Sequence, residues 1–144
     1  PAARDLGDWV GSAALRAVGV NALVQGRVAA DRARPQLAGY LDPCAPLLYR
    51  FVRRMAEAAG LHLGGLQLCG LLPQLQGVLP LLLGLGYRRF SVDPPHIPYL
   101  AEAVHQLRIK DAERLATQVC QTRDSTEVLA LLGLPADGYR PLVG

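Results

Sequence analysis

Three short segments carry the most informative polar side chains, and the first and last of them are apolar runs that end in a polar residue. One apolar run ends at Asn21, the pair Asp31-Arg32 follows it, and a second apolar run ends at Cys69. Parallel strands that carry chemistry at their carboxyl ends have this pattern. The side chains are an amide, a guanidinium and a thiol, which are an unusual set to find at strand ends.

The residues beside these groups are informative because they are not acids. Ala22 follows Asn21, and Leu71 follows Cys69-Gly70. A hard cation requires carboxylate or carbonyl oxygen ligands, which these aliphatic side chains do not supply. The pattern therefore predicts no metal ligand at Ala22 or at Leu71.

The composition predicts a single globular domain. The chain has 144 residues, of which 51% are hydrophobic and 19% are charged, and such a chain can bury a sizeable core. We expect residues 1–134 to form this domain. Residues 135–144 are rich in proline and glycine, and we expect them to form a loose tail.

Charge and cysteine usage argue against several functions. Nearly all of the 15 basic residues are scattered arginines, and aromatic residues make up only 6% of the chain, which argues against nucleic-acid binding. Cys44, Cys69 and Cys120 form no Cys-x-x-Cys pair, which argues against a disulfide framework or a zinc site. No apolar stretch is long enough to span a membrane. We therefore expect a cytoplasmic protein that binds neither nucleic acid nor membrane.

Hydrophobic periodicity predicts strands that alternate with helices. The predicted strands are residues 14–20, 62–68 and 87–92, and the predicted helices are residues 21–29, 43–59, 73–85, 97–107, 110–121 and 125–132. Asp42 is the expected N-cap of the second of these helices. The expected apolar face of that helix consists of Leu47, Leu48, Phe51, Val52 and Met55.

This order of elements predicts an α/β fold with about three parallel βα units followed by C-terminal helices. Three strands are few for a parallel sheet, and an open sheet exposes an unpaired edge. We therefore expect the chain to self-associate or to dock with further strands. The very apolar helix over residues 73–85 either fills the core or forms an association face.

Six motifs along the chain resemble one enzyme family in their order and spacing. They are Gly19-Val20-Asn21-Ala22-Leu23-Val24-Gln25, Asp31-Arg32, Cys69-Gly70-Leu71, Leu82-Leu83-Gly84-Leu85-Gly86-Tyr87, Phe90-Ser91-Val92 and Ile97-Pro98. They resemble the C-terminal part of the phosphoenolpyruvate (PEP)-binding TIM barrel of PEP-utilising enzymes. This group includes enzyme I of the bacterial sugar phosphotransferase system, its nitrogen-related paralogue, PEP synthase and pyruvate phosphate dikinase. The resemblance runs from about Val18 to Leu132 and implies a partial TIM-barrel-like fold.

The resemblance implies a role for each matched site residue. Asn21 would hold the phosphate or carboxylate of PEP, and Arg32 would bind its phosphate with a planar guanidinium. Cys69 would be the acid that protonates the enolate carbon as pyruvate forms. Gly70 would let the backbone approach the ligand closely.

The resemblance also implies Mg²⁺, although two expected acids are missing. Ala22 stands where the family has a metal-ligating Asp, and Leu71 stands where it has a Glu. The family's other metal carboxylate and its substrate arginines lie on earlier strands. Its phosphate-carrying histidine has a Thr-x-His context, which His62, His96 and His105 lack.

Each site residue also has a purely structural interpretation. Asn21 can cap a helix, Arg32 can pair with Asp31, and Cys69 can be a small buried thiol. We expect an enzyme I-like phosphotransferase domain that binds PEP or pyruvate and is weak or inactive alone. The alternative is a non-catalytic dimerisation or regulatory domain that forms a homo-oligomer or docks on the rest of a barrel. A lyase of the wider pyruvate and PEP barrel group is a third candidate.

Overall fold

The structure is a computed structural model that describes residues 16–19, 43–70 and 72–135. The strands are β1 (Arg16–Gly19), β2 (Leu66–Cys69) and β3 (Arg89–Phe90). The helices are α1 (Pro46–Ala59), α2 (Val78–Gly84), α3 (Ile97–Gln106), α4 (Ile109–Cys120) and α5 (Ser125–Leu131). Short 3-10 helices span Gly60–Gly65, Leu72–Gln74 and Pro94–His96. The predicted helix over residues 21–29 lies outside the described residues.

The described strands form one parallel sheet in the order β1-β2-β3. Gly19 of β1 lies opposite Cys69 of β2, and Leu68 of β2 lies opposite Phe90 of β3. Because the strands run parallel, their carboxyl ends meet at one edge of the sheet, which we call the carboxyl edge. The predicted α/β class is confirmed.

The core lies between one face of the sheet and the helices. Leu66 and Leu68 of β2 are fully buried, whereas Gln67 and Cys69, which point to the opposite face, are partly exposed. Helices α1, α2, α4 and α5 contribute to the core cluster with Val52, Met55, Leu81, Leu82, Ala116, Val119, Val128 and Leu129. In the described part of the chain, the helices therefore cover the leucine face of β2.

Helix α1 confirms the predicted helix but begins later than expected. It starts at Pro46 with Ala45 as its N-cap, so the expected cap at Asp42 is wrong. Proline suits the first helical position because its fixed φ matches the helix and its missing N–H costs no hydrogen bond there. The helix ends at Ala59, as predicted, and Gly60 is its C-cap.

The buried face of α1 is also rotated from the predicted one. Leu48, Val52 and Met55 are buried as expected, but Leu47 is 41% exposed. Tyr49 is fully buried instead, and its hydroxyl donates to the carbonyl oxygen of Pro43 at 2.6 Å. A tyrosine can occupy the core here because this bond satisfies its polar end.

Three predicted elements are shorter than expected. Strand β2 begins at Leu66 because Gly60–Gly65 form a 3-10 helix. Strand β3 covers only Arg89–Phe90. Helix α2 begins at Val78, since Gly77 before it has φ of +81°, a conformation that interrupts a helix. Helices α3, α4 and α5 agree with their predicted bounds to within one residue at each end.

Helices α2 and α4 pack with their backbones in direct contact. A Cβ atom placed on Gly84 would lie 2.0 Å from the carbonyl oxygen of Ala112. That distance is far shorter than a van der Waals contact, so only glycine fits at this crossing. Because α2 also supplies Leu81 and Leu82 to the core, this contact supports the helical layer behind the sheet.

We expect Gly84→Ala to lower the free energy of unfolding by about 2–3 kcal/mol, because the new methyl group must push α2 away from α4. Urea unfolding followed by circular dichroism measures this change. Gly64→Ala is the matched control, since nothing lies within 4 Å of a Cβ placed there. Equal stability of the two variants would contradict the proposed backbone contact.

Tyr87 ties the segment before β3 to helix α1. Its side chain is fully buried, and its hydroxyl donates to the carbonyl oxygen of Val52 at 2.7 Å. Burial raises the pKa of Tyr87 well above its ordinary value, because the charged phenolate would lose its hydration. The neutral phenol is therefore part of the folded state.

We expect Tyr87→Phe to lower the free energy of unfolding by about 1 kcal/mol near neutral pH. Since the pKa is raised on folding, the contribution of the phenol is complete below about pH 10 and falls as the pH rises further. Urea unfolding at neutral pH and at about pH 11 tests this. The wild-type chain should lose more stability between these pH values than Tyr87→Phe, with the exposed Tyr99→Phe as control; equal losses would contradict this account.

Candidate ligand site at the carboxyl edge

The carboxyl edge carries a partly exposed thiol at its centre. Cys69 is the last residue of β2, with β1 on one side and β3 on the other. Cys44 and Cys120 are buried, so Cys69 is the only one of the three cysteines with substantial access to solvent. Burial also raises the pKa of the Cys120 thiol above its ordinary value. The burial of Cys44 and Cys120 is consistent with a packing role.

Gly70 turns the chain away from the sheet immediately after the thiol. Its φ is +100°, in the region that favours glycine over residues with a side chain. The 3-10 helix Leu72–Gln74 follows within two residues. The structure therefore places Cys69 and Gly70 together in a tight turn at the strand end, where the sequence predicted them.

A buried glutamine joins this turn to the segment after β3. Gln74 is only 7% exposed. Its Nε2 donates to the carbonyl oxygen of Gly70 at 3.2 Å, and its Oε1 accepts from the backbone N–H of Asp93 at 3.0 Å. Sequence reasoning missed this residue. The available signal was an uncharged polar side chain inside an apolar stretch, because such a side chain must find hydrogen-bond partners when buried.

The other predicted site residues lie outside the described part of the chain. Asn21 and Arg32 are in this group, as are Ala22 and Leu71. Their predicted roles, or their lack of a metal-ligating role, stay predictions. Of the four predicted catalytic and substrate-binding residues, the structure therefore brings together Cys69 and Gly70.

The histidines occupy three separate positions. His62 and His105 are exposed, on the 3-10 helix before β2 and in the last turn of α3. His96 lies at the start of α3, and its Nδ1 atom is buried without a hydrogen-bond partner. Within residues 16–19, 43–70 and 72–135, no cluster of three or more His, Cys, Asp or Glu side chains could hold a metal ion.

A separate cleft lies among the helices. Its volume is about 390 Å³, and residues of α1, α2 and α4 line it together with Leu63 and Leu85. An ion pair on α1 lies at its rim, with Arg53 Nε 3.6 Å from Glu57 Oε1. This exposed pair contributes little to stability. None of Cys69, Gly70 and Gln74 lines the cleft, so it is distinct from the carboxyl edge.

No helix in the described ranges has both the length and the apolar character that a membrane crossing would require.

Comparison with known proteins identifies one family. The family model described as PEP-utilising enzyme, PEP-binding domain, matches residues 11–109. The multiphosphoryl transfer protein of Escherichia coli O6:H1 is 33% identical over 128 residues, which are 88% of this chain and 15% of that protein. The phosphoenolpyruvate-protein phosphotransferase of Staphylococcus carnosus is 30% identical over 115 residues, or 80% of this chain and 20% of that protein.

The matched region is a small part of these relatives but most of this chain. The chain spans a fifth or less of the length of the curated relatives it matches. The family model covers more than half of the 144 residues, including Cys69, Gly70 and Gln74. The chain therefore belongs to the PEP-utilising enzymes, as a member of their PEP-binding domain family.

Proposed function

We propose that this chain is the C-terminal portion of a divergent, enzyme I-like PEP-dependent phosphotransferase, and that it binds PEP or pyruvate at the carboxyl edge. The main support is the position of Cys69-Gly70 at the carboxyl end of β2, within the part of the chain that matches the PEP-binding domain. In a parallel α/β sheet, ligands bind at this end of the strands.

Four residues would carry the ligand chemistry. Arg32 would bind the phosphate through paired N–H groups, and Asn21 would hold the phosphate or the carboxylate. The Cys69 thiol would give its proton to the methylene carbon of the enolate, producing the methyl group of pyruvate and leaving a thiolate. The turn at Gly70, with no side chain, would leave room for the ligand beside the backbone.

The proposed site has fewer acidic side chains for a metal ion than the family has. Mg²⁺, when bound in the family, supplies positive charge to the phosphoryl oxygens as they are transferred. Ala22 and Leu71 replace two acids, and Asp93 is the only carboxylate in the described segments 69–70, 72–74 and 91–96 at this edge. These residues fit a divalent cation poorly, because hard cations need several oxygen ligands. We therefore propose that phosphoryl transfer by this chain alone is weak or absent.

We also propose that residues 1–134 form the last βα units of a TIM-barrel-like domain and that residues 135–144 form a tail. The alternation in β2 supports the barrel portion, since the face bearing Gln67 and Cys69 is only partly covered by the described residues. Parallel sheets are normally covered on both faces or closed into a barrel. The rest of a barrel would close over this face.

A non-catalytic interaction domain is the second candidate, and helix α3 favours it. Leu100 is the only buried residue of α3. Ile97, Tyr99 and Val104 are each about half exposed, and Ile97 and Val104 lie two turns apart on one side of the helix. This apolar surface suits a second copy of the chain or the remainder of a barrel. Light scattering that finds only a monomer would remove the homo-oligomer from this proposal.

Titration calorimetry with PEP, with and without Mg²⁺, tests the proposed function. We expect binding in the millimolar range, because the phosphate-binding Arg32 is retained. Arg32→Ala should weaken binding about tenfold or more, since a charge-assisted hydrogen bond contributes about 1.5–3 kcal/mol. Arg54→Ala, which removes an exposed arginine of α1, is the matched control.

A second arm of the same experiment addresses the thiol. Cys69→Ala should abolish exchange of the pyruvate methyl protons for deuterium, observed by proton NMR, while PEP binding changes less than in Arg32→Ala. Absence of binding at about 10 mM PEP in the wild-type chain would contradict the proposed function and leave the interaction domain.

A further inference from the structure

Between β2 and β3, backbone–backbone hydrogen bonds give way to bonds with a side chain at the carboxyl edge. The N–H of Ser91 donates to the carbonyl oxygen of Leu68 at 2.8 Å. In a parallel ladder this pattern repeats every two residues along both strands. The next bond would therefore run from the N–H of Asp93 to the carbonyl oxygen of Gly70.

The side-chain amide of Gln74 occupies the place of that bond. The N–H of Asp93 donates to Gln74 Oε1 at 3.0 Å, and Gln74 Nε2 donates to the carbonyl oxygen of Gly70 at 3.2 Å. A backbone N–H can only donate and a carbonyl can only accept, so these two partners fix which end of the amide faces each strand. The side-chain amide of Gln74 therefore bonds to both segments as a backbone peptide group between them would.

We propose that Gln74 is a positioning residue that holds the ends of β2 and β3 apart and thereby sets the orientation of the Cys69-Gly70 turn. Two hydrogen bonds in series separate Asp93 from Gly70 by much more than one direct bond would. This separation opens the carboxyl edge beside the thiol. The importance of Gln74 for catalysis rests on the proposed function of Cys69. The hydrogen-bond geometry of Gln74 is independent of that function.

The burial of Gln74 makes the arrangement specific. The side chain is 7% exposed and both ends of its amide are bonded, so water cannot readily replace either bond. Without the amide, the direct bond from Asp93 to Gly70 can form and draw the two segments together. Loss of Gln74 therefore changes the surroundings of Cys69 and not only the stability of the fold.

The reaction of Cys69 with iodoacetamide tests this inference without any ligand. The rate constant is measured in the 144-residue chain from about pH 6 to about pH 10, and mass spectrometry confirms that Cys69 is the modified residue. Gln74→Ala and Gln74→Met both remove the two hydrogen bonds, and Gln74→Met keeps the length of the side chain. Gln76→Ala is the matched control, because Gln76 is an exposed glutamine two residues away.

We expect both Gln74 variants to change the rate constant about threefold or more and to shift its pH profile, because thiol reactivity depends on access and on local polarity. Gln76→Ala should match the wild-type chain. Unchanged rates and pH profiles in a Gln74 variant that retains the wild-type far-ultraviolet circular dichroism would overturn the inference. If Gln74→Ala does not fold, Gln74→Met decides.

A third variant separates hydrogen bonding from packing. In Gln74→Glu, the protonated carboxyl can still donate to Gly70 and accept from Asp93, whereas the carboxylate cannot donate. Folding therefore raises the pKa of the new carboxyl, and its contribution is complete below about pH 4 and is lost as the pH rises. We expect wild-type stability near that pH and reduced stability at neutral pH; a pH-independent difference from the wild-type chain would contradict the hydrogen-bonding role.

Failure of this inference is distinguishable from failure of the proposed function. A chain that binds no PEP can still show altered Cys69 reactivity in the Gln74 variants. Conversely, a chain that binds PEP normally and shows unaltered Cys69 reactivity in those variants would retain the proposed function and lose the positioning role of Gln74.

Discussion

Parallel pairing of β2 with a strand on each side determines which residues meet at the carboxyl edge. Gly19 faces Cys69, and Leu68 faces Phe90, so three strand ends and the segments that leave them share one edge. Strands of this length have few ladder bonds of their own. Their positions therefore depend on packing behind the sheet and on the side-chain bonds that continue beyond it.

Two features of the helical layer provide this support. The backbone contact at Gly84 brings α2 against α4, and the hydroxyl of Tyr87 anchors the start of β3 to Val52 in α1. Both features lie in the part of the chain that leads into β3, the strand that pairs with β2. At the carboxyl edge itself, the side chain of Gln74 bonds to Gly70 and Asp93 beyond the last backbone bond between β2 and β3. Apolar packing of the helices therefore supports the sheet on one face. The buried amide of Gln74 connects the segments that follow β2 and β3.

Periodicity in the sequence predicted α3, α4 and α5 to within one residue at each end, because amphipathic segments leave a strong pattern. It also predicted the parallel sheet, but it placed the starts of α1 and α2 too early. It was insufficient for short strands. Residues 62–65 were predicted as the start of a strand but belong to a 3-10 helix, and β3 covers only two residues. The buried face of α1 was also predicted incompletely, since Leu47 is exposed and Tyr49 is buried with its hydroxyl bonded to Pro43.

The candidate site was predictable to the extent that it depends on strand ends. Cys69 and Gly70 follow from an apolar run that stops at a polar residue and a glycine. Gln74 did not follow, because its role depends on a partner, Asp93, that is 19 residues away. Long-range hydrogen bonds of this kind leave no periodic signal. The family assignment gives the carboxyl edge a ligand to be tested. We propose that the site keeps a thiol and anion-binding groups but lacks two of the family's acids.

We propose that the carboxyl edge, and not the cleft among the helices, binds the ligand. Titration of the nitrogen-15-labelled chain with PEP, followed by proton–nitrogen correlation NMR, tests it most directly. We expect the largest changes in chemical shift at the amides of Cys69, Gly70 and Asp93, with little change at Arg53 and Glu113 of the cleft. Changes concentrated at the cleft residues, with none at Cys69 or Gly70, would contradict it.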